Sequence, residues 1–441
     1  MWTRRLLLLA GLAYALLLLG LATLDGRLLA LALPLVIYLG ATFVYGPHEL
    51  RLSVTRTLSA ERVSPGTPVA VEISVINAGP RLEEVLVEAP IPRKLELADG
   101  EPSMIATLPP GEALALAYTV RGPRGKHDFP PIRVTVSDHL GLFRRRTRLP
   151  ARSQLIILPE VSRLKRVTIR PLRTRAYAGP VPARQSGSGV EFFGVREYQP
   201  GDPRRWINWR VSARHPRAIF TNEFEQERIA DVGLILDARL RTNVRLEGQA
   251  LFEHAVQATA SLADAFLSDG NRVGLLVYGQ FLDWTLPGYG KVQRERILRA
   301  LAQAETGEGM IFESLDRLPT RLFPARSQVV LVSPLCNDDL PMLVRLRARG
   351  YQILVISPDP VAFEVQGFGV LEGKGSRPNA PQAALDLAAR IARLERVLLM
   401  RRLRQAGVQV VDWQVDKPFG QVAHVALSRA PRWFQAVGMT R

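Results

Sequence analysis

The sequence predicts an α/β protein in three parts: two membrane-spanning helices, a small all-β sandwich and a doubly wound parallel sheet. Two uncharged apolar runs lie near the N-terminus, short alternating strands follow, and apolar strands alternate with helices from Ala230 onward. Continuous apolar strands separated by helices are typical of a parallel sheet covered on both faces. We therefore predict a helical hairpin at residues 1–50, a β-sandwich domain at 51–160, a linker at 161–190 and an α/β domain at 191–441.

The apolar runs that predict the hairpin are Leu6–Leu24 and Leu28–Tyr45. At a rise of 1.5 Å per residue each covers roughly 27–29 Å, close to the hydrocarbon thickness of a bilayer. Arginines before the first run and after the second outnumber the single Arg27 between them, which favours cytoplasmic ends. We expect a multi-pass protein of the inner (plasma) membrane with its soluble domains in the cytoplasm. A cleaved signal peptide is the alternative.

Composition limits the partners. Lys+Arg 58 against Asp+Glu 41 gives a formal net charge of +17, which suits an anionic membrane surface, nucleic acid or an acidic protein. Because the protein is predicted to be tethered to a membrane, we expect the phospholipid bilayer to be the partner of this positive charge. The single cysteine, Cys336, excludes an internal disulfide and fits a reducing compartment. We expect it to be a buried small apolar residue.

The predicted sandwich rests on short alternating runs separated by Gly and Pro turns. Val69–Ile76, Glu84–Glu88, Ala113–Val120 and Ile132–Val136 read as strands with no helical period between them. Strands at this spacing favour a small antiparallel, immunoglobulin-like sandwich. No catalytic constellation falls inside it, so we expect a spacer or docking surface.

The predicted linker is centred on Pro171–Ser188, which is rich in Pro, Gly, Ser and Arg. The segment that follows it mixes large aromatics, both signs of charge and Pro-Gly turn residues. We predict that eight of its residues form a buried ion-pair and aromatic cluster, which fixes the linker against the sheet or contacts a partner directly. They are Arg196, Glu197, Tyr198, Asp202, Arg205, Trp206, Trp209 and Arg214.

The α/β domain is predicted from four strands and four helices. The strands are Val232–Asp237, Val273–Tyr278, Gln328–Ser333 and Gln352–Ser357, and the helices are Leu246–Leu267, Lys291–Ala304, Asp339–Arg349 and Pro381–Gln405. Arg217–Phe220 is a further edge strand, and Asn222–Glu227 is predicted to be a solvated acidic turn. In the last helix, Leu387, Ile391, Leu394 and Leu398 share one face. We expect that face to pack on the sheet, with basic residues toward solvent; contact with anionic lipid is the alternative.

The order of residues from Gly194 to Arg214, G-V-R-E-Y-Q-P-G-D-x-x-R-x-I-x-W-x-x-S-A-R, resembles the signature of the bacterial domain-of-unknown-function family 58. Members of that family resemble von Willebrand factor A proteins. The resemblance implies a metal site with an Asp-x-Ser-x-Ser pattern after the first strand of the sheet. Here Asp237 is retained, while Arg239 and Arg241 stand where hydroxyls are expected.

Two guanidiniums near the site would repel a divalent cation. We therefore predict a degenerate site at Asp237 with no bound metal. Arg239 or Arg241 is free to pair with Asp237 or to hold an acidic partner side chain. Asp237, Arg239 and Arg241 are accordingly predicted to form a docking face.

Motifs for catalysis are missing from the sequence. It has no phosphate-binding loop, no GxSxG elbow and no HExxH pair. We predict no catalytic residue, no cofactor and no enzymatic activity. An enzyme with a site at the carboxyl end of the sheet remains an alternative.

Nucleic-acid or anionic-lipid binding is the other alternative class, although Glu191, Glu197 and Asp202 interrupt the basic surface, so we expect no nucleic acid. The favoured function is a membrane-anchored, cytoplasm-facing interaction or adaptor protein. The resemblance implies a MoxR-type AAA+ ATPase as partner, acting in assembly or maturation of other proteins.

Overall fold

The computed structural model describes residues 4–45, 50–137, 144–164, 174–175, 181–215, 217–246, 249–307, 315, 318–319, 322–324, 327–365 and 381–427. The chain divides into two units, Met1–Leu158 and Pro159–Arg441. The first holds the helical hairpin and three sheets in which all strand pairs but one are antiparallel. The second holds a sheet in which parallel strands alternate with helices.

The hairpin consists of α1 (Arg4–Thr23) and α2 (Gly26–Tyr45). Small residues let the two helices approach closely: Ala13 and Ala32 are buried, and a Cβ on Gly20 would lie 3.0 Å from the Leu29 side chain. By length and composition, Leu6–Thr23 in α1 is able to cross a membrane. Gly26–Ala41 in α2 is a shorter apolar stretch, so the second span stays a prediction.

The antiparallel unit is built on alternation of inward apolar and outward polar side chains. Val69, Val71, Ile73 and Val75 of one strand are buried, and the residues between them are not. The strands are β1 Leu52–Leu58, β2 Arg62–Val63, β3 Val69–Asn77, β4 Leu82–Glu88, β5 Glu96–Gly100, β6 Ser103–Leu108, β7 Ala113–Arg121, β8 Gly125–Asp128, β9 Ile132–Ser137, β10 Arg144–Leu149 and β11 Gln154–Ile157. Two four-stranded sheets, of order β1-β3-β7-β5 and β10-β9-β4-β6, share one apolar core. A third sheet has the order β2-β11-β8, in which β2 and β11 are parallel.

The second unit follows the predicted alternation of strands and helices. Its strands are β12 Thr174–Arg175, β13 Val181–Glu197, β14 Phe220–Asp237, β15 Arg245–Leu246, β16 Gln249–Ala250, β17 Arg272–Tyr278, β18 Leu282–Gly288, β19 Gln328–Val332, β20 Gln352–Pro358 and β21 Gln409–Trp413. Its helices are α3 Trp209–Ser212, α4 Leu251–Ser268, α5 Gly290–Gln303, α6 Leu340–Ala348, α7 Pro381–Gln405 and α8 Phe419–Leu427. Short 3-10 turns lie at Arg204–Trp206, Leu240–Thr242 and Asn337–Asp339.

The main sheet has the strand order β18-β17-β14-β19-β20-β21. Along this order all neighbouring pairs are parallel except the pair formed by the edge strand β18 with β17. Two further strands of the same sheet, β12 and β13, pair antiparallel with β14. The first parallel strand, β14, lies between β17 and β19, so the chain order reverses beside it. In such sheets the crevice for a ligand opens at the carboxyl ends of the strands flanking the reversal, which here places Asp237 at the candidate site.

The structure differs from the sequence prediction around the linker. Residues 181–190, predicted to be linker, lie in β13, and Asn222–Glu227, predicted to be a solvated turn, lies in β14. The two segments pair antiparallel, with register shifts such as that between Ala183 and Ser186. Backbone pairing does not require apolar side chains, so a strand formed by polar, Gly-rich sequence leaves no period-2 signal. The predicted edge strand Arg217–Phe220 begins only at Phe220, as the start of β14.

Candidate functional site

A buried cluster of one arginine and two aspartates fills the carboxyl edge at β14. The Arg239 guanidinium donates through Nε to Asp237 Oδ1 at 2.9 Å and through Nη2 to Asp237 Oδ2 at 2.7 Å. It also donates through Nη1 and Nη2 to the two carboxylate oxygens of Asp339, each at 2.9 Å. The exposed fractions of the Arg239, Asp237 and Asp339 side chains are 2%, 0% and 1%. We name these three residues the buried triad.

The electrostatics of the buried triad hold the guanidinium charged. Burial alone lowers the pKa of Arg239, but hydrogen bonds and charge attraction to Asp237 and Asp339 outweigh it and raise the pKa above its ordinary value. One guanidinium between two carboxylates leaves one excess negative charge. Arg241 supplies a second positive charge, at 4.0 Å from Asp339 and 3.4 Å from Asp338. The fork geometry of arginine matches two carboxylates at once, which an ammonium would not do.

Neighbouring loops complete the hydrogen bonding of the buried triad. The Ser333 hydroxyl donates to Asp237 Oδ2 at 2.6 Å and accepts from the Leu335 backbone N–H at 3.0 Å. Leu335 has a φ of 64°, which is unusual for a non-glycine residue and turns the chain after β19. The Cys336 N–H donates to Asp339 Oδ2 at 2.9 Å. The loop after β19 therefore supplies both a hydroxyl to Asp237 and a backbone donor to Asp339.

The Cys336 thiol is half-buried beside this cluster. Burial, followed by the charge of Asp339, raises its pKa. Because the thiolate is the reactive form, this environment suppresses nucleophilic chemistry at Cys336.

A second buried arginine joins the carboxyl ends of the neighbouring strands. Arg396 in α7 donates to the Pro334 carbonyl at 3.0 Å, the Ser357 carbonyl at 3.0 Å and Asp412 Oδ1 at 2.6 Å. These acceptors follow or end β19, β20 and β21. The sequence prediction, which placed this arginine on a solvated face, is wrong. The helical spacing could have indicated its burial. Leu399 and Leu403, three and seven residues after Arg396, lie on the same helix face and are buried.

The prediction that Asp237, Arg239 and Arg241 form a docking face is wrong for the first two residues, which are buried. Asp237 and Arg239 are each only 3% exposed as whole residues, because each satisfies the other's charge inside the fold. Of the three predicted residues, Arg241 alone reaches the surface, with 36% of its side chain exposed. Among the described residues, no group of three or more His, Cys, Asp or Glu side chains is arranged to hold a metal. That no metal binds at Asp237 stays a prediction.

The second candidate region is the signature segment, residues 194–214, which begins at the end of β13 and leads to β14. Arg196 is its organising residue: Nη2 donates to Asp202 Oδ1 at 2.7 Å, and Nε lies 2.8 Å from Glu223 Oε1. Asp202 also accepts from the Gln199 N–H at 2.9 Å, which closes the Pro-Gly turn. The Arg196 hydrogen bond, and then that of Gln199, lower the pKa of Asp202, which favours the ionised carboxylate that closes the turn.

The turn is followed by a short helix that presents a tryptophan. Asn208 caps α3 by accepting from the Val211 N–H at 3.0 Å, and it donates to Asn222 Oδ1 in β14 at 2.7 Å. Ser212 Oγ accepts from the Phe220 N–H at 2.8 Å. These bonds tie α3 to the start of β14. Trp209, the first residue of α3, is nevertheless 69% exposed.

The prediction of a buried cluster in the signature segment is wrong. Arg196, Tyr198, Asp202 and Trp206 are half-buried, whereas Glu197, Arg205, Trp209 and Arg214 are exposed. The ion pair that orders the segment uses Glu223, which the sequence prediction assigned to a solvated turn. The Arg205 guanidinium lies 5.9 Å from the Trp206 ring centroid, and the Tyr198 hydroxyl donates to the Asp202 carbonyl at 3.4 Å. The segment is thus an ordered surface feature rather than a piece of core.

Comparisons with known proteins give a family match but no reaction. The model of the family described as "Protein of unknown function DUF58" matches residues 194–375, which confirms the predicted resemblance there. The chain is 26% identical over 315 residues to the uncharacterized protein YeaD of Bacillus subtilis, covering 70% of this chain and 76% of that protein. It is 29% identical over 254 residues to the uncharacterized protein Rv1480 of Mycobacterium tuberculosis, covering 52% and 76%. A FixG-related protein from Vibrio parahaemolyticus matches 24% of this chain and 95% of its own, with 13% identity and a TM-score of 0.17.

Proposed function

We propose that this chain is a membrane-anchored, cytoplasm-facing interaction protein whose partner is a MoxR-type AAA+ ATPase, acting in the assembly or maturation of other proteins. The observation that carries the proposal is Trp209. Its large aromatic side chain is exposed to solvent. The segment that carries it is held in place by the Arg196–Asp202 ion pair and by the Asn208 helix cap. Tryptophan on a preorganised surface is the residue type most enriched among contacts that dominate binding energy.

The proposal includes a von Willebrand factor A-like α/β module. Its support is the strand order β18-β17-β14-β19-β20-β21 with the antiparallel strand at one edge. The carboxyl edge of this sheet, where such a module would bind a cation, contains the charged guanidinium of Arg239 instead. An internal cation of this kind fixes the loops after β14 and β19 without an external ligand. The module would then present a permanently formed surface to its partner.

Membrane anchoring rests on the N-terminal hairpin. Leu6–Thr23 has a mean hydropathy of 2.4 and only 11% of it is buried, so its apolar surface suits lipid better than water. We propose that α2 forms the second span, supported by the close packing of Ala13, Gly20 and Ala32. Small residues at a helix pair interface are typical of membrane helices.

Photo-crosslinking in native membranes tests the proposed interaction. A photoreactive amino acid at Arg210, beside Trp209, is expected to crosslink to an AAA+ ATPase. The matched control carries the same amino acid at Glu101, an exposed residue of the antiparallel unit, and is expected to give no such product. Adding Trp209→Ala to the protein that carries the probe at Arg210 should abolish the crosslink without lowering the melting temperature.

If the Arg210 probe yields no ATPase product, or if the product persists in Trp209→Ala, this surface is not the contact. Turnover of a substrate by the purified chain alone would favour the enzymatic alternative.

A further inference from the structure

One strand of the antiparallel unit, β7, is covered along only part of one edge. On one side it pairs with β3 from Ala113 to Val120. On the other side it pairs with β5, but only from Arg121 back to Tyr118. Along Ala113–Ala117, β7 therefore has no strand partner on the β5 side among the described residues.

The backbone groups of two alanines point out of this open edge. The Glu112 carbonyl accepts a hydrogen bond from the Asn77 N–H at the end of β3, at 3.1 Å, so the backbone groups of Glu112 point toward β3. Successive residues of a strand direct their N–H and C=O groups to opposite edges. The N–H and C=O groups of Ala113 and Ala115 therefore point away from β3. None of these four groups has a hydrogen-bond partner in the part of the chain that the structure describes.

The open edge forms one wall of a groove of about 480 Å³. The facing wall is β6, which pairs with β4 in the other sheet. Met104 of β6 lies opposite Val87, which is buried, so the Met104 side chain points to the inner face of its sheet. It is nevertheless 44% exposed, because the edges of the two sheets leave a gap there. The apolar lining of the groove comes from Leu86, Met104, Ile105, Ala115, Leu116 and Ala117.

Unpaired backbone groups at a strand edge favour an extended chain over a helix as the occupant. A helix satisfies its own N–H and C=O groups, whereas a strand laid beside Ala113–Ala117 can form hydrogen bonds with this edge. Five residues are also an ordinary length for a strand. Every second side chain of such a strand would point between the sheets, toward Leu116 and Met104, and these side chains are therefore expected to be apolar.

The charge around the groove specifies the occupant further. Of the described residues that line it, only Glu101 is charged. Asp99 and Glu112, which precede β6 and β7, are exposed as Glu101 is, and residues 99–120 contain no Lys or Arg. A negative surface repels nucleic acid and anionic lipid headgroups and attracts basic side chains. A second copy of the same edge would set these carboxylates against themselves.

From these observations we propose that the groove between β6 and β7 binds an extended segment of another protein, one with alternating apolar residues and with Lys or Arg at its ends. The segment adds as a strand beside Ala113–Ala117, on the side of β7 that β5 leaves open. We name this site the edge groove. It lies in the first unit of the chain and Trp209 lies in the second, so the edge groove and the ATPase proposal can fail independently.

A designed set of peptides tests the edge groove. The probe is a short fluorescent peptide of alternating valine and threonine with a lysine at each end. One matched peptide carries glutamate at each end, and the other keeps lysine but has a methyl group on each inner backbone nitrogen. Anisotropy is measured against the full chain in nanodiscs of zwitterionic lipid.

Both the ends and the backbone of the probe should matter. The lysine peptide is expected to bind about fivefold more tightly than the glutamate peptide, a modest factor because the carboxylates are exposed. Added salt should reduce that factor. The methylated peptide, which cannot donate backbone hydrogen bonds, is expected to bind at least tenfold more weakly than the lysine peptide.

Variants assign the binding to the open edge. Ala115→Pro removes an N–H that points away from β3, so the strand should persist, and it should weaken the lysine peptide at least tenfold. Ala115→Ser keeps the N–H and is the matched control, with unchanged affinity. Glu101→Lys should abolish the preference for lysine over glutamate. If Ala115→Pro lowers the melting temperature, Glu101→Lys and the methylated peptide decide the question.

Any of five outcomes would overturn the proposal. They are failure of every peptide to bind; equal affinity for the lysine and methylated peptides; binding that neither Ala115→Pro nor Glu101→Lys changes; self-association that Ala115→Pro abolishes; and displacement of the probe by a synthetic peptide of residues 428–441 at a lower concentration than the unlabelled lysine peptide requires. The fourth outcome assigns the edge to a second copy, and the fifth assigns it to the chain's own C-terminal segment.

Discussion

The buried triad makes a sharp prediction about stability. Arg239→Ala removes the guanidinium that bonds to both Asp237 and Asp339, and it leaves two carboxylates that are 0% and 1% exposed. The loss is expected to exceed that of an ordinary truncation, because the stranded charges stay buried. Breaking a buried ion pair by removing one partner costs about 3–5 kcal/mol. For a unit of this size that corresponds to a fall in Tm on the order of 10 °C.

Arg241→Ala is the matched control. Arg241 lies close to Asp237 in sequence and contacts Asp338 at 3.4 Å, but 36% of its side chain is exposed. A solvent-exposed pair contributes less than about 1 kcal/mol. Arg239→Lys keeps the charge but cannot reach both carboxylates with a planar fork, so it should fall between the two.

Scanning calorimetry of the full chain, solubilised identically for each variant, measures the difference. The transition of the α/β unit should shift in the order Arg239→Ala, Arg239→Lys, Arg241→Ala, from largest to smallest. A difference of less than about 1 kcal/mol between the free energies of unfolding of Arg239→Ala and Arg241→Ala would mean that Arg239 contributes no more than an exposed ion pair does. That result would refute the argument that the buried triad stabilises this edge of the sheet.

Three other sites give predictions that a single measurement can check. Arg196→Ala should open the turn that Asp202 closes, seen as faster amide exchange at Gln199, with unchanged exchange in β20 as the internal control; equal exchange in both forms would contradict this. Burial lowers the pKa of His254, and the charge of Glu253 opposes that shift. Protonation therefore favours the unfolded chain, so the contribution of neutral His254 to the free energy of unfolding should be fully present above the unfolded pKa of about 6.5 and should decline as the pH falls below it. His254→Gln should remove that decline. Cys336, whose pKa is raised by burial, should be alkylated by iodoacetamide more slowly than free cysteine at about pH 8; a faster reaction would show that the thiol is activated.

Much of the α/β unit was predictable from sequence because its strands are continuously apolar. The helix Pro381–Gln405 has the predicted bounds, and the strands ending at Asp237 and Tyr278 end where predicted. These runs carry their own signal, since a strand covered on both faces must be apolar throughout. β13 and β18 were missed because paired backbone, rather than apolar pattern, forms them.

Burial of charge was the least predictable property. The sequence prediction located Asp237 and Arg239 at the carboxyl edge and included their pairing as one option. It did not find Asp339 as the second carboxylate, since an acid at the start of a helix reads first as a cap. In α7 the apolar row Leu387, Ile391, Leu394 and Leu398 was assigned to the wrong face, and so was Arg396, whereas the other arginines of the helix are exposed as predicted. A single buried arginine with strong acceptors outweighs the general rule that arginines face solvent.

We propose that this chain acts by binding a protein through the exposed tryptophan of the signature segment, Trp209. The most direct measurement is quantitative co-purification of the full chain from native membranes, comparing Trp209→Ala with Arg214→Ala, an exposed change in the same segment. We predict that an AAA+ ATPase accompanies the unchanged chain and Arg214→Ala but is depleted at least tenfold with Trp209→Ala, at equal melting temperatures. Equal recovery of the ATPase with all three proteins, or its absence from all three, would contradict the claim.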